Sequence, residues 1–282
     1  MQPKIGIFPN KKFSTYRGWD AANKSTIWHC LRSPAHAKMK MLEPEAPTAA
    51  MEFGTACHTI ALEFQKFDRQ YVKAPDVDRR TKVGKQTLAD FSEMHPDKTL
   101  LAAADYDALL SMRQSLMDHP IASKLLKARG RAELSYVWES RYRGSEGMLC
   151  KARADRVTKL DGMPVLVDLK TCKDSSPAEF KRSVATFGYQ MQAAFYADGL
   201  NCLEPAEYRF LFIAVEKTAP YAVTVCELDK ASLEDGRLKA ERAMALYAEA
   251  KETRTWSGYE PVIHEISTPI WSRTAAGSIQ FD

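Results

Sequence analysis

The stretch KARADRVTKLDGMPVLVDLKT, residues 151–171, predicts two β-strands joined in a hairpin and decides the fold of this chain. The chain turns at Asp161-Gly162, a dipeptide typical of tight hairpin turns. Asp155 ends the polar face of the first strand, and the second strand carries another acid close to its end. The hairpin therefore predicts a pair of carboxylates that the backbone of a sheet holds at one spot.

The second strand carries Asp168 and Lys170 two residues apart, so side-chain alternation places both on one face. The apolar residues Val165, Val167 and Leu169 alternate with them and predict a buried opposite face. Two carboxylates and an ammonium at the end of a hydrophobic strand pair are costly to hold together without a cation. With a divalent metal they make a site for cutting phosphodiesters. Without the apolar run, the same Asp and Lys would be a common solvated surface pair.

Length and composition are those expected of a soluble, cytoplasmic protein with no membrane partner. The chain has 282 residues with 45% hydrophobic content, which is enough for a substantial core. No apolar run approaches the ~20 residues that a membrane-spanning helix needs, and no signal peptide is recognisable near Met1. The six cysteines are scattered without a CxxC pair, which indicates neither a zinc ribbon nor a disulfide framework.

The charge distribution permits a polyanionic partner. The net charge of +4 is only mildly basic, but residues 66–85 carry seven basic residues against three acids. A basic loop beside a metal site would suit a phosphate backbone. A solvated loop without a partner would have the same composition, so both interpretations stay open.

The order of the predicted elements indicates an α/β domain with a central mixed sheet behind a helical N-terminal part. Helices are predicted at residues 23–40 (interrupted at Ser33-Pro34), 49–64, 85–94, 102–118, 120–128, 177–182, 186–200 and 228–252. Strands are predicted at residues 132–139, 147–157, 165–170, 207–215 and 221–228. No repeat or linker divides the chain.

We therefore expect a single domain over residues 1–282. Residues 1–17 are expected to form a flexible arm, residues 23–128 a mostly helical part and residues 132–252 the sheet-and-helix core. Pro44 and Pro47 mark a loop, and residues 258–282 are expected to form an irregular tail.

This arrangement resembles the PD-(D/E)xK nuclease superfamily, whose restriction-endonuclease-like core is a central mixed β-sheet flanked by helices. A closer similarity is to the phage and prophage exonucleases of the exodeoxyribonuclease VIII (RecE) type. Four stretches carry it: GTACHTIALE at 54–63, APDVDRRTKVGK at 74–85, CKARADRV through VDLKTCKD within 150–174, and YQMQAAFYADGL at 189–200. Their combination is more specific than any one of them.

The resemblance implies the roles of five residues. Asp155, Asp168 and Lys170 would be the two acids and the lysine of the superfamily motif. His58, on an early helix, would join the two acids as a metal ligand, and the backbone carbonyl of Leu169 would be a further ligand. A lone histidine on such an apolar helix is otherwise more often a buried core group.

Gln192 and Tyr196 form a Q-x-x-x-Y pair that shares one face of a predicted helix. An amide and a phenol can hydrogen-bond phosphate oxygens or metal-bound water without adding charge. The pattern recurs in the resembling nucleases, which assigns Gln192 to catalysis and Tyr196 to DNA binding. Simple packing of the aromatic ring on the sheet is the alternative.

Oxygen and imidazole ligands suit Mg²⁺ or Mn²⁺, and the resemblance implies one or two ions in the site. It further implies a 5′→3′ exonuclease that acts on double-stranded DNA ends and leaves 3′ single strands for a RecT-like annealing protein. A homo-oligomeric ring, trimer or tetramer, and a phage or prophage origin in a bacterial host are implied in the same way. The first candidates for DNA contacts are Arg79, Arg80, Lys82 and Lys85.

Three alternatives remain open. An iron–sulfur nuclease would use Cys30 as its first cluster ligand, but no cysteine follows Cys226 to complete the set. A DNA-binding protein with a decayed nuclease fold is a second alternative, against which the complete set of expected catalytic positions argues. A site-specific endonuclease is the third, and it would cut closed circular DNA whereas an end-dependent exonuclease would not.

Overall fold

The structure is a computed structural model that describes residues 1–43 and 48–272. The helices are α1 (Phe13–Arg17), α2 (Lys24–Cys30), α3 (Pro34–Leu42), α4 (Ala49–Leu62), α5 (Phe64–Gln70), α6 (Lys82–Met94), α7 (Ala103–Asp118), α8 (Pro120–Lys127), α9 (Pro177–Phe187), α10 (Tyr189–Asn201) and α11 (Lys230–Thr253). The strands are β1 (Gly6–Phe8), β2 (Tyr71–Lys73), β3 (Thr99–Leu101), β4 (Arg131–Glu139), β5 (Leu149–Leu160), β6 (Met163–Cys172), β7 (Arg209–Glu216) and β8 (Val223–Glu227). The loop predicted at Pro44 and Pro47, and residues 273–282 of the predicted tail, lie outside the described residues.

The centre of the fold is a six-stranded mixed sheet with the strand order β1-β4-β5-β6-β7-β8. β6 and β7 pair in parallel, and the other neighbours pair antiparallel. A parallel pair needs a crossover connection, and α9 and α10 supply it. β2 and β3 form a separate parallel pair in the helical part.

The β5–β6 hairpin turns at Asp161 and Gly162, which have φ angles of 52° and 85°. Positive φ at both central residues is typical of the type I′ turn, whose twist matches that of the paired strands. From this turn the pairing continues to Arg156, which lies opposite Val167. The predicted hairpin is therefore present, and the strands separate beyond it.

Helices cover both faces of the sheet, so the predicted fold class is confirmed. On one face Val165, Val167 and Leu169 are buried against residues of α4, α7 and α8, as their alternation predicts. On the other face Leu166 and Phe212 pack with residues of α2, α3, α10 and α11. No helix among residues 1–43 and 48–272 is long and apolar enough to cross a bilayer.

The expectation of a flexible arm at residues 1–17 was wrong. β1 pairs antiparallel with β4, and α1 follows it. The Lys151 ammonium donates hydrogen bonds to the carbonyl oxygens of Tyr16, Arg17 and Trp19 at 3.0, 3.1 and 2.6 Å. A three-residue strand has no periodicity of its own, since its partner strand, far along the chain, defines it.

Gly188 separates α9 from α10, although the sequence predicted the second helix to begin at residue 186. Gly188 has a φ of 63°, in the left-handed region that ends many helices. A Cβ atom here would lie 2.3 Å from the Trp28 ring. The residue therefore needs both the backbone freedom and the small volume of glycine.

Replacing Gly188 with alanine should lower the free energy of unfolding by more than the matched change Gly162→Ala. Both positions have positive φ, which costs about 1 kcal/mol for a side chain. Only at Gly188 must Trp28 also move, whereas Gly162 faces open space. We expect a total cost of about 2–4 kcal/mol for Gly188→Ala, measured by urea unfolding. Equal costs for the two variants would contradict the contact with Trp28.

Candidate active site

The candidate site lies where β5 and β6 separate. Beyond the pair Arg156–Val167 no further residues of the two strands are in register. Instead, the Asp155 Oδ2 accepts a hydrogen bond from the backbone N–H of Leu169 at 2.8 Å. The side chain thus takes the place of a main-chain partner, and its carboxylate is fixed at the opening between the strands.

Three potential metal ligands meet beside this opening. His58, Glu133 and Asp155 each offer one ligand atom, and these atoms all lie within 4.8 Å of one another. The His58 Nδ1 lies 3.6 Å from the Asp155 Oδ2 and 3.9 Å from the Glu133 Oε1. α4 supplies the imidazole, β4 and β5 the carboxylates.

The orientation of His58 fits a cation at this point. Its Nε2 lies 3.0 Å from the carbonyl oxygen of Leu169, so Nε2 carries the proton. The lone pair of a neutral ring is then on Nδ1 and faces two carboxylates, which only a cation or a proton between them can stabilise. The imidazole and the two carboxylates could together hold a divalent metal ion. The predicted role of Leu169 as a ligand stays a prediction.

Asp168, Lys170 and Gln192 form a second, mutually bonded group. The Lys170 Nζ lies 2.6 Å from the Asp168 Oδ2 and donates to the Gln192 Oε1 at 3.2 Å. The Gln192 Nε2 donates to the Asp168 Oδ1. Asp168 is only 3% exposed, so water cannot replace these partners. The carboxylate lies outside the three-residue group around His58, and its role as a metal ligand stays a prediction.

The charges of the site shift the pKa values of its groups strongly. Burial and the neighbouring Asp168 and Glu133 raise the pKa of Asp155 to about 7, although His58 opposes the change. Burial lowers the pKa of His58, but Asp155 and Glu133 outweigh it and raise the value to about 9. Burial also lowers the pKa of Lys170, but the charges of Asp168 and Asp155 outweigh burial and raise this pKa above its ordinary value. Such a concentration of perturbed groups is typical of functional sites.

Sequence reasoning missed Glu133 as a site residue. It lies in β4 between Ala132, which pairs with Arg156, and Leu134, which pairs with Ala154, so it stands opposite Asp155. Its φ of 50° is unusual for a residue in a strand. The available signal was an acid near the start of the predicted strand 132–139, which precedes the strand that carries Asp155.

The four basic candidates for DNA contacts lie in the loop before α6 and at its start. Arg79, Arg80, Lys82 and Lys85 are exposed, and Arg80 is bound through two nitrogens to Asp78 at 3.0 Å each. No hydrogen bond or ion pair joins them to the site carboxylates within the described part of the chain. Their role stays a prediction.

Tyr196 packs as the alternative interpretation expected. Its ring lies edge-on to those of Tyr136 and Phe210, with centroids 6.5 Å apart in both cases. Burial raises the pKa of Tyr196 well above its ordinary value, and the negative charges of the site act in the same direction. The ring is therefore part of the core behind the site, and a contact with DNA stays a prediction.

The comparisons with known proteins concern the fold and the family. A family model described as "PDDEXK-like domain of unknown function (DUF3799)" matches residues 23–262. A crystal structure described as a "Putative exonuclease" from Eubacterium rectale has a TM-score of 0.62 and 12% identity, over 95% of this chain and 97% of that chain. This likeness shows the fold alone.

A second solved structure, described as SSO0001, aligns over 73% of this chain and 88% of that chain at 15% identity. Its TM-score of 0.31 is too low to support a conclusion. No curated protein shows a significant match to the sequence.

Binding of a divalent ion should release protons, because the raised pKa values keep His58 protonated and Asp155 partly protonated at pH 7. We expect between about one and two protons per Mn²⁺ and an affinity that rises as the pH increases from 6 to 9. Titration calorimetry in two buffers of different ionisation enthalpy measures the number. The His58→Gln variant should release fewer protons, by less than one, because Asp155 without the neighbouring imidazolium holds its own proton more firmly. An unchanged number would exclude the imidazole as a ligand.

Proposed function

The chain belongs to the family of PDDEXK-like domains (DUF3799), and on this premise we propose that it is a metal-dependent deoxyribonuclease that digests linear double-stranded DNA. Family membership and fold bear out the resemblance to the PD-(D/E)xK superfamily. The digestion of DNA from its ends, the polarity and the partners are our proposal.

One observation carries the proposal: a histidine and two carboxylates that could hold a cation lie next to a lysine that is fixed by an acid and an amide. His58, Glu133 and Asp155 would hold one Mg²⁺ or Mn²⁺. The ion would supply an activated water and neutralise charge on the substrate phosphate. A second ion would use Asp168 if its carboxylate turned from its present partners.

Lys170 serves in this proposal as a fixed positive charge and not as a base. Its pKa lies above the ordinary value, so the ammonium keeps its proton at neutral pH. Of its three N–H donors, one binds Gln192, and the ammonium lies 2.6 Å from the Asp168 Oδ2, so that a further N–H is left for a phosphate oxygen or the attacking water. A preorganised donor of this kind stabilises the charge that develops in the transition state.

The finer proposal is a 5′→3′ exonuclease that leaves 3′ single strands for a RecT-like annealing protein. The four sequence stretches that resemble the RecE-type enzymes support it, and so does the exonuclease description of the protein with a similar fold. We also propose a cytoplasmic, phage or prophage protein that works as a ring of three or four copies around the duplex.

The iron–sulfur alternative is disfavoured by the surroundings of Cys30. Its side chain is 1% exposed and packs in the core beneath the sheet. Burial raises the pKa of the thiol to about 12, which opposes the thiolate that a cluster needs.

The substitutions Asp155→Asn, Asp168→Asn and Lys170→Met should each reduce cleavage of linear duplex DNA at least about 10³-fold, because each removes charge at the reacting phosphate. Asp161→Asn, at the exposed turn of the same hairpin, is the matched control and should keep full activity. The assay follows 5′- and 3′-labelled ends with Mg²⁺, on linear and on closed circular DNA. Retained activity in Asp168→Asn would discard the assignment, and cleaved circles would favour the endonuclease.

Removing two charges of the basic loop should flatten the salt dependence of DNA binding. In an Arg79→Gln/Lys82→Gln variant we expect the slope of log affinity against log salt to fall by about 2, one unit per lost phosphate contact. The control Lys230→Gln/Arg242→Gln removes two exposed charges from α11. Equal slopes for the two variants and the wild type would leave the loop without a role in binding.

A further inference from the structure

Arg153 connects the metal-binding group to the N-terminal part of the chain. It lies on β5 two residues before Asp155, so the two side chains share a face of the strand. Its Nε donates to the Glu133 Oε2 at 2.7 Å. Its Nη1 donates to the Ser135 Oγ at 2.7 Å and to the carbonyl oxygen of Lys11 at 2.8 Å.

The two carboxylate oxygens of Glu133 have different partners. Arg153 binds Oε2, whereas Oε1 faces the His58 ring at 3.9 Å. A guanidinium presents its donors in a rigid fork. Here Nη1 binds Ser135 and Lys11 and so fixes the orientation of Arg153, and Nε gives the Glu133 carboxylate a single hydrogen bond.

The Glu133 side chain needs this support because the backbone conformation of Glu133 is not that of a regular strand and does not by itself direct the carboxylate towards His58. The φ of 50° interrupts the regular alternation of β4 opposite Asp155. A break of this kind re-directs a side chain out of the pleat, and it persists only where the surroundings stabilise it. The hydrogen bond from the Arg153 Nε is the support that the structure gives to the Glu133 carboxylate on the side away from His58.

The N-terminal strap, residues 11–19, covers this face of β5. Lys11 provides the carbonyl oxygen that one Arg153 nitrogen binds, and the Phe13 ring lies 5.8 Å from the guanidinium carbon. Two residues earlier on the same strand face, Lys151 binds three carbonyl oxygens of the strap. β1 fastens the start of the strap, with Phe8 paired opposite Ser135.

We propose that Arg153 is a positioning residue that holds Glu133 as a ligand for a divalent cation, and that the N-terminal strap holds Arg153. This inference rests on the proposed function only in that the site binds such a cation. On this proposal, Arg153 and the N-terminal strap contribute to the affinity for the metal ion although they lie outside the D-x-K motif. The side chain of Arg153 is 14% exposed, so water has little access to replace its hydrogen bonds.

The test compares Mn²⁺ binding by calorimetry, without DNA, in Arg153→Met and Arg153→Lys. Loss of an outer-shell partner typically weakens metal affinity about 10–100-fold, and we expect this for Arg153→Met. Arg153→Lys keeps the charge without the fork and should lose less. Arg156→Met is the matched control: this arginine of the same strand binds the carbonyl oxygens of Leu125 and Ala128. It should lose stability and keep its Mn²⁺ affinity.

A double-mutant cycle tests whether Arg153 affects the Mn²⁺ affinity through Glu133. In a Glu133→Gln background Arg153→Met should change Mn²⁺ affinity less than about twofold, because its target is already gone. An undiminished effect there, or an unchanged affinity in both single Arg153 variants, would overturn the positioning role. If Arg153→Met does not fold, Arg153→Lys carries the same cycle.

The outcomes also separate this inference from the proposed function. A protein that digests DNA but whose Arg153 variants bind Mn²⁺ like the wild type overturns the positioning role alone. A protein whose Mn²⁺ affinity depends on Arg153 through Glu133, but which leaves all DNA intact, overturns the nuclease proposal alone.

Discussion

The candidate site depends on the point where the ladder between β5 and β6 stops. A regular hairpin would continue to pair main-chain groups and would leave no room at its end. Here the carboxylate of Asp155 binds the N–H of Leu169 instead, which satisfies a buried donor while the strands part. His58 reaches the carbonyl oxygen of the same residue from α4. Both bonds use the backbone of one β6 residue, so the two potential ligands are set by the sheet itself.

Charge is distributed unevenly across this opening. On one side Asp168 is neutralised by Lys170 and bonded by Gln192, which makes a group that is stable without an ion. On the other side the two carboxylates Asp155 and Glu133 have Arg153 and the imidazole as partners. Burial above all raises the pKa of Asp155, and the carboxylates raise that of His58, so these two groups tend to bind protons. A cation would replace those protons, and its place is therefore among His58, Glu133 and Asp155.

The sequence allowed the hairpin, the mixed sheet, the helical part and the PD-(D/E)xK superfamily to be predicted, and these are confirmed. Local patterns suffice there: Asp161-Gly162 defines a turn, and the alternation around Asp168 defines a buried face. His58, Gln192 and the acids could be proposed only through resemblance, since a lone imidazole or amide has no pattern of its own. The structure brings them together, and their roles in catalysis remain to be tested.

What the sequence did not indicate has one common cause, which is dependence on distant partners. Glu133 becomes a candidate ligand through its register against β5 and through its φ, neither of which its neighbours in sequence determine. β1 and β2 are three-residue strands that exist because longer or remote segments pair with them. The start of α10 was placed too early because the contact between Gly188 and Trp28 lies outside any local pattern.

The hydrogen bonds from Lys151 to the carbonyl oxygens of the strap have a consequence for the order in which the protein folds during synthesis. Translation proceeds from the N-terminal side, so the strap leaves the ribosome long before Lys151, which binds it, and before either strand of the hairpin. Until β4, which ends at Glu139, has been synthesised, β1 has no neighbouring strand to pair with. Assembly of the ion-binding group is therefore a late event in biogenesis, and a chain truncated before β5 contains neither Asp155 nor Arg153.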